Sequence, residues 1–286
     1  VLTYLIFATA LAIILFLLGA PLVRARRRRQ LEADPFPVHW HQQLMRDWPL
    51  YARLSDALRE GLQRRLRVMM SETLFYGCNG LEVTEAMRLR VLAQAALIYG
   101  NVLEDRVETF PRVLLYPGPF VRHGKEVDEL GLVREGAHSL LGESWEQGRV
   151  ILSWPDVRED LGHLDGHNLV IHEYAHQLDG LDGVMNGTPP LAGKPGFEPW
   201  PQVMQAAYDN LCRRLEVGEE PIDAYAATNP AEFFAVVSET FFTLPQALHQ
   251  AYPEVYRLLV AFYRLEPLEF APSVPPQFFT HTRSGD

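Results

Sequence analysis

An α+β fold is what this sequence predicts, and three observations predict it. Apolar residues recur at helical spacing in stretches such as 51–72, 200–217 and 253–264. Short runs rich in Val, Leu and Ile at 112–116, 130–134 and 149–154 read as strands. The helices surround these few strands rather than alternating with them along the chain. At 286 residues, 48% of them hydrophobic, the chain can bury a core without disulfide staples, and it is no disordered acidic polymer. Cys78 and Cys212 lie too far apart for a C-x-x-C pair, which removes a thiolate zinc site. A net charge of −10 argues against a nucleic-acid partner.

The charge is unevenly spread. Residues 1–23 carry none, and Arg24 with Arg26–Arg29 follow at once. A helix of that length rises about 35 Å, enough to cross a ~30 Å hydrocarbon layer. The run is too long for a signal peptide and its cations lie on the wrong side. The expectation is a single transmembrane anchor over 1–23, touching membrane lipid through residues 1–29. The arginines would then stay on the cytoplasmic side of the inner membrane, with the rest of the chain. Taking these five arginines from the 26 basic residues leaves 21 against 36 acidic, so residues 30–286 carry −15.

Residues 24–50, with Pro35, Pro37 and Pro49, read as a basic juxtamembrane segment and linker. The N-terminal part of the body, 51–148, opens with a helix through Leu54, Leu58, Leu62, Leu66 and Met69. A turn at Gly77 and Asn79-Gly80 follows, then a helix opened by Thr84. The part from 149 to 266 begins with a strand and continues in helices near 167–179, 200–217, 229–243 and 253–264. Residues 267–286 read as a flexible tail.

The chemistry concentrates in 166–179. His172-Glu173-x-x-His176 places two imidazoles one helical turn apart, both able to reach one Zn²⁺. Glu173 sits about 100° round the helix, near enough to act on a water without being a ligand. Val170, Ile171, Tyr174, Ala175 and Leu178 form the opposite, apolar side, so the histidines are expected to line a cleft. Asp179 shares the metal side and is a candidate to orient an imidazole. A third ligand is required. Asp182 stands where metzincin-like chains place theirs, but Asp179 occupies the position that pattern gives to glycine. Glu232 and Glu239, seven apart and on one face of a later helix, are the alternative. Asn229, Pro230 and Glu232 also read as cap, first helical residue and capping-box partner, so Glu232 has a purely structural reading as well. His39, His41, His163 and His167 read as non-ligands.

With those residues on the page, the chain resembles the Mlc titration factor A family of zinc peptidases over roughly 40–270. The likeness lies in 114–120 (LLYPGPF), 142–145 with Gly148, 151–154 (ILSW), 166–179, and 222–242 with its Pro-Ala-Glu segment. It implies a zincin-like catalytic domain of the anthrax lethal factor kind, with Zn²⁺ held by His172, His176 and Glu232. It implies Tyr225 as a residue stabilising the transition state and Glu173 as general base, leaving Asp179 and Glu239 to support the ligands. The implied substrate is a peptide, cut by aminopeptidase-like hydrolysis. Binding of a transcriptional regulator of the Mlc kind is the alternative function. The uncharged N-terminal run is the departure from this family's pattern.

Overall fold

The computed structural model describes residues 2–100, 102, 110–118, 148–190 and 196–270, and side chains over most of residues 2–18 lie outside that set. The expected strand at 130–134 and residues 271–286 of the expected tail also fall outside it. Eleven α-helices and three strands follow in order: α1 (Leu2–Ala33), α2 (Val38–Asp47), α3 (Pro49–Arg53), α4 (Asp56–Glu72), β1 (Phe75–Gly77), α5 (Glu85–Tyr99), β2 (Arg112–Tyr116) and β3 (Arg149–Ser153). Then come α6 (Trp154–Gly162), α7 (Leu169–Asp179), α8 (Trp200–Glu216), α9 (Pro230–Thr243), α10 (Pro245–Ala251) and α11 (Pro253–Tyr263). These counts cover the described residues. The class is α+β, as the sequence predicts.

The three strands form one parallel sheet in the order β1-β2-β3, with Val113 paired to Phe75 on one side and to Val150 on the other. Val113, Leu115, Val150 and Leu152 are buried on it. Parallel neighbours need a crossover. Helix α5 supplies it between β1 and β2, opened by the Thr84 hydroxyl, which accepts from Met87 N at 3.2 Å.

Two boundaries differ from the sequence reading. The stretch taken as a linker is largely helical, because its prolines start or flank helices instead of breaking them: Pro37 precedes α2, and Pro49 is the first residue of α3. The helix expected over 51–72 is two, because Ser55 caps α4 by accepting from Leu58 N.

Helix α1 runs unbroken past the arginines. Arg28 grips Glu72 of α4 with Nη2 at 2.6 Å and Nε at 3.0 Å, and Arg27 donates to Ser71 Oγ at 3.1 Å. Among the described residues no helix is long and apolar enough to cross a membrane, and the uncharged run 1–23 falls mostly on side chains outside that set.

The site is positioned by α5, α7 and α9, packed side by side. Behind α9, Trp200, Phe234 and Phe262 meet edge to face at centroid distances of 5.4–6.0 Å. Burial of each such ring contributes roughly 1.5–3 kcal/mol, so α9 has little freedom to move.

Candidate metal centre

Helix α7 begins where Asn168 Oδ1 accepts from Ile171 N at 2.9 Å. Helix α9 begins where Asn229 Oδ1 accepts from Glu232 N at 3.0 Å, with Pro230 in the first turn. Both caps fix the first turn from which a site residue projects. The cap and metal readings of Glu232 therefore divide between its atoms: its backbone serves the cap, and its carboxylate turns toward α7.

His172 Nε2 lies 3.1 Å from His176 Nε2 and 3.1 Å from Glu232 Oε2, and His176 Nε2 lies 3.4 Å from the same oxygen. One ligand atom from each residue falls within 4.8 Å of the others, and all three residues are buried. Four-coordinate zinc with bonds of 2.0–2.1 Å places its ligand atoms about 3.3 Å apart, so this triangle has the size the ion requires. Glu232 Oε2 is buried and takes part in no hydrogen bond of normal geometry, which leaves it aimed into the triangle as a ligand oxygen would be. The residues fit the group.

Glu239 supplies a second carboxylate. Its Oε1 stands 2.7 Å from His172 Nδ1, and its Oε2 accepts from Asn168 N. A proton on Nδ1 satisfies the first contact and leaves the Nε2 lone pair facing the triangle. Burial alone pulls the His172 imidazole down, but the flanking Glu239 and Glu232 carboxylates outweigh it and raise the group to about 10. Burial lowers His176 to about 4, a neutral imidazole at physiological pH. Burial would raise Glu232, but its contacts with the two imidazoles hold its carboxyl well below the usual range. Two buried carboxylates against these rings make a pocket that favours positive charge.

Helix α7 is more deeply buried than its sequence pattern suggests. Helix α9 packs over the histidine side and leaves His172 5% and His176 0% exposed. Glu173 is partly exposed, beside the cluster rather than within it. Tyr225 lies in a short 3-10 turn, Ala224–Ala227, opened by Asp223, whose Oδ1 accepts from Tyr225 N at 2.8 Å. Its ring centroid is 6.1 Å from that of His172.

Asp179 goes elsewhere. Its carboxylate is taken up by the following loop, with Gly187 N donating to Oδ2 at 2.8 Å, rather than by an imidazole. The 3-10 turn Gly180–Asp182 reverses the chain and folds 186–188 over the end of α7, which places backbone amides where an imidazole was expected. Burial raises this carboxyl to about 6 against the lowering effect of those amides. Asp182 is exposed and caps its own turn through Val184 N, outside the triangle. His39, His41, His163 and His167 also stay outside it; His167 instead pairs with Asp223 at 3.3 Å.

Sequence reasoning missed Gln94 of α5, whose side-chain oxygen accepts from Asn168 Nδ2 at 2.6 Å. The signal was there to read: between Val91 and Ile98 it is the only residue with a polar side chain.

The chain is 38% identical over 273 residues to an uncharacterized protein of Synechocystis sp., spanning 93% of this chain and 98% of that one. It is 38% identical over 235 residues to proteins named Mlc titration factor A from Yersinia pestis and Yersinia pseudotuberculosis, spanning 81% of this chain and 86% of each relative. The family model described as glucose-regulated metallo-peptidase M90 matches residues 22–264, and the chain belongs to that family.

Proposed function

We propose that this protein is a zinc peptidase in which His172, His176 and Glu232 hold the ion. The observation that carries this reading is the buried triangle of two imidazole nitrogens and one carboxylate oxygen, within 4.8 Å of one another. A zinc ion bound there supplies a Lewis acid that brings the pKa of a water toward about 7. Glu173, the partly exposed acid next to the ligands, takes the proton from the attacking water and passes it to the leaving amine. Tyr225, held by the Asp223 turn, donates a hydrogen bond to the substrate carbonyl oxygen as it gains charge. Glu239 keeps His172 in the tautomer that binds metal. Glu173→Gln should abolish peptide hydrolysis while zinc content stays at the wild-type level; turnover retained by the variant would remove Glu173 from the reaction. The resemblance, rather than any feature of the site, favours release of N-terminal residues.

The name of the Yersinia relatives ties those proteins to Mlc. Regulator binding is accordingly the second reading for this chain, and capture of an Mlc-like repressor by the Glu173→Gln variant would make it independent of hydrolysis.

An anchor in the inner membrane, with the catalytic body on the cytoplasmic side, completes the proposal. It rests on the uncharged run 1–23 and on the arginines that follow. Arg27 and Arg28 are engaged with α4, whereas Arg26 and Arg29 are exposed and suited to anionic headgroups. The full chain should stay with the membrane fraction through alkaline carbonate washing, and a chain starting at residue 30 should not.

A further inference from the structure

The metal ligand His172 is fixed from a helix that contributes nothing else to the site. Gln94 in α5 is fully buried. Its amide nitrogen donates back to Arg90 O at 3.0 Å, and its amide oxygen accepts from Asn168 Nδ2 at 2.6 Å. Asn168 is itself 3% exposed, and its remaining polar atoms are committed as well. Oδ1 caps α7 through Ile171 N, and the backbone N–H donates to Glu239 Oε2. The other oxygen of Glu239 meets His172 Nδ1 at 2.7 Å. A continuous series of hydrogen bonds thus runs from α5 to the cap of α7, across to α9, and back to an imidazole of α7.

We propose that Gln94 and Asn168 are positioning residues of the metal centre, which together fix the Glu239 carboxylate and, through it, the angle and Nδ1–H tautomer of His172. The physical case is one of exclusive assignment. Buried amides whose oxygen and nitrogen each have a partner have one preferred orientation, because a flip would set donor against donor and acceptor against acceptor away from water. Asn168 can donate to Gln94 and accept from Ile171 only with its amide in a single sense. Those two bonds hold Asn168 in its extended capping conformation, with φ −161°, and in that conformation its backbone N–H donates to Glu239 Oε2. Carboxylates behind a metal-binding imidazole govern its basicity and direction, so a shift in Glu239 is read at His172 Nε2. The inference rests on the reading of His172 as a zinc ligand.

Two variants of the full chain test it without removing any ligand. Gln94→Leu keeps the bulk and removes the acceptor for Asn168 Nδ2. Asn168→Ser keeps a hydroxyl cap for Ile171 N and the backbone donor to Glu239, but loses the bond to Gln94. Zinc affinity is measured by competition with a chromophoric chelator, and the His172 Nδ1–H resonance is followed by ¹⁵N NMR of the zinc-loaded protein. Each variant should bind zinc about tenfold more weakly and shift or broaden that resonance. The double variant should be no weaker than either single one, since both break the same link. Leu62→Ala, in the α4 core, should lower thermal stability while leaving affinity and resonance unchanged. Wild-type affinity in both variants, with stability alone reduced, would overturn the proposal. If Gln94→Leu fails to fold, Asn168→Ser decides alone. A wild-type chain whose zinc affinity is unaffected by His172→Ala would instead remove the metal reading, and this inference with it.

Discussion

Helices α7 and α9 bring polar groups to the same point by opposite means. On α7 the two histidines are a local pair, one turn apart, surrounded by apolar neighbours that bury at most 2% exposed. On α9 every residue from Glu232 to Thr243 is buried, including five with polar side chains. The hydroxyls of Ser238, Thr240 and Thr243 return to carbonyls one turn earlier at 2.7–2.9 Å, which satisfies them within their own helix. Only the two glutamates reach out to α7. The lesson is a dependence that runs one way. His176 is a neutral imidazole that tolerates burial, whereas the two buried carboxylates of α9 need the positive charge that His172 carries in the metal-free protein. Helix α9 therefore relies on α7 more than α7 relies on α9.

The largest expected effect probes that asymmetry directly. In metal-free protein, His172→Ala takes the hydrogen-bond partner from Glu239 and the positive charge 3.1 Å away from Glu232, and a buried carboxylate left without its partner costs about 3–5 kcal/mol. Glu232→Ala should abolish zinc binding yet leave the metal-free fold close to wild-type stability. Equal losses of stability for the two variants, measured by denaturant titration, would break the comparison.

Next in size is Gly187→Ala. Gly187 has φ +77°, a conformation L side chains rarely adopt, and an added Cβ would come within 2.3 Å of Pro230 O in the first turn of α9. A loss of about 2–3 kcal/mol is expected, with weakened zinc binding because Glu232 moves with that turn. Loss of stability without any change in affinity would show that the loop holds the fold but not the ligand geometry.

The smallest effect concerns pH. Asp179 has its carboxyl raised to about 6 by burial, so the folded state holds the proton more tightly than the unfolded chain, where the ordinary value is about 3.9. The stability this contributes is complete below about pH 4 and is lost as pH rises through about 6. Asp179→Asn should remove this decline from a series of melting curves between pH 4 and 8. An unchanged slope would assign the dependence to other groups.

The difference between the two helices also explains what was legible in the sequence. His172, Glu173 and His176 lie within one turn, so spacing alone predicts their arrangement. Glu232 carries two readings at once, cap partner and ligand, and periodicity has no means of choosing between them; the resemblance to a family did. Asp179 looked like a support for an imidazole because spacing shows the face a residue shares but not the loop that folds back over it. Gln94 and Asn168 are joined by a tertiary contact between helices far apart in the chain, which no local pattern encodes. The fold was read in the same way. Strands 112–116 and 149–153 and the caps at Thr84 and Asn229 were readable locally. The helices at 38–47 and 49–53 were hidden by prolines that mark helix starts as readily as linkers.

Gly187 has one more bond: its carbonyl accepts from Trp200 Nε1 at 3.2 Å, and that indole is fully buried. The same residue touches the end of α7 through Asp179 and the start of α9 at Pro230. A fluorophore thus sits on the loop residue that touches both ligand-bearing helices. With the other four tryptophans replaced, its emission would give an optical readout of how the two helices pack.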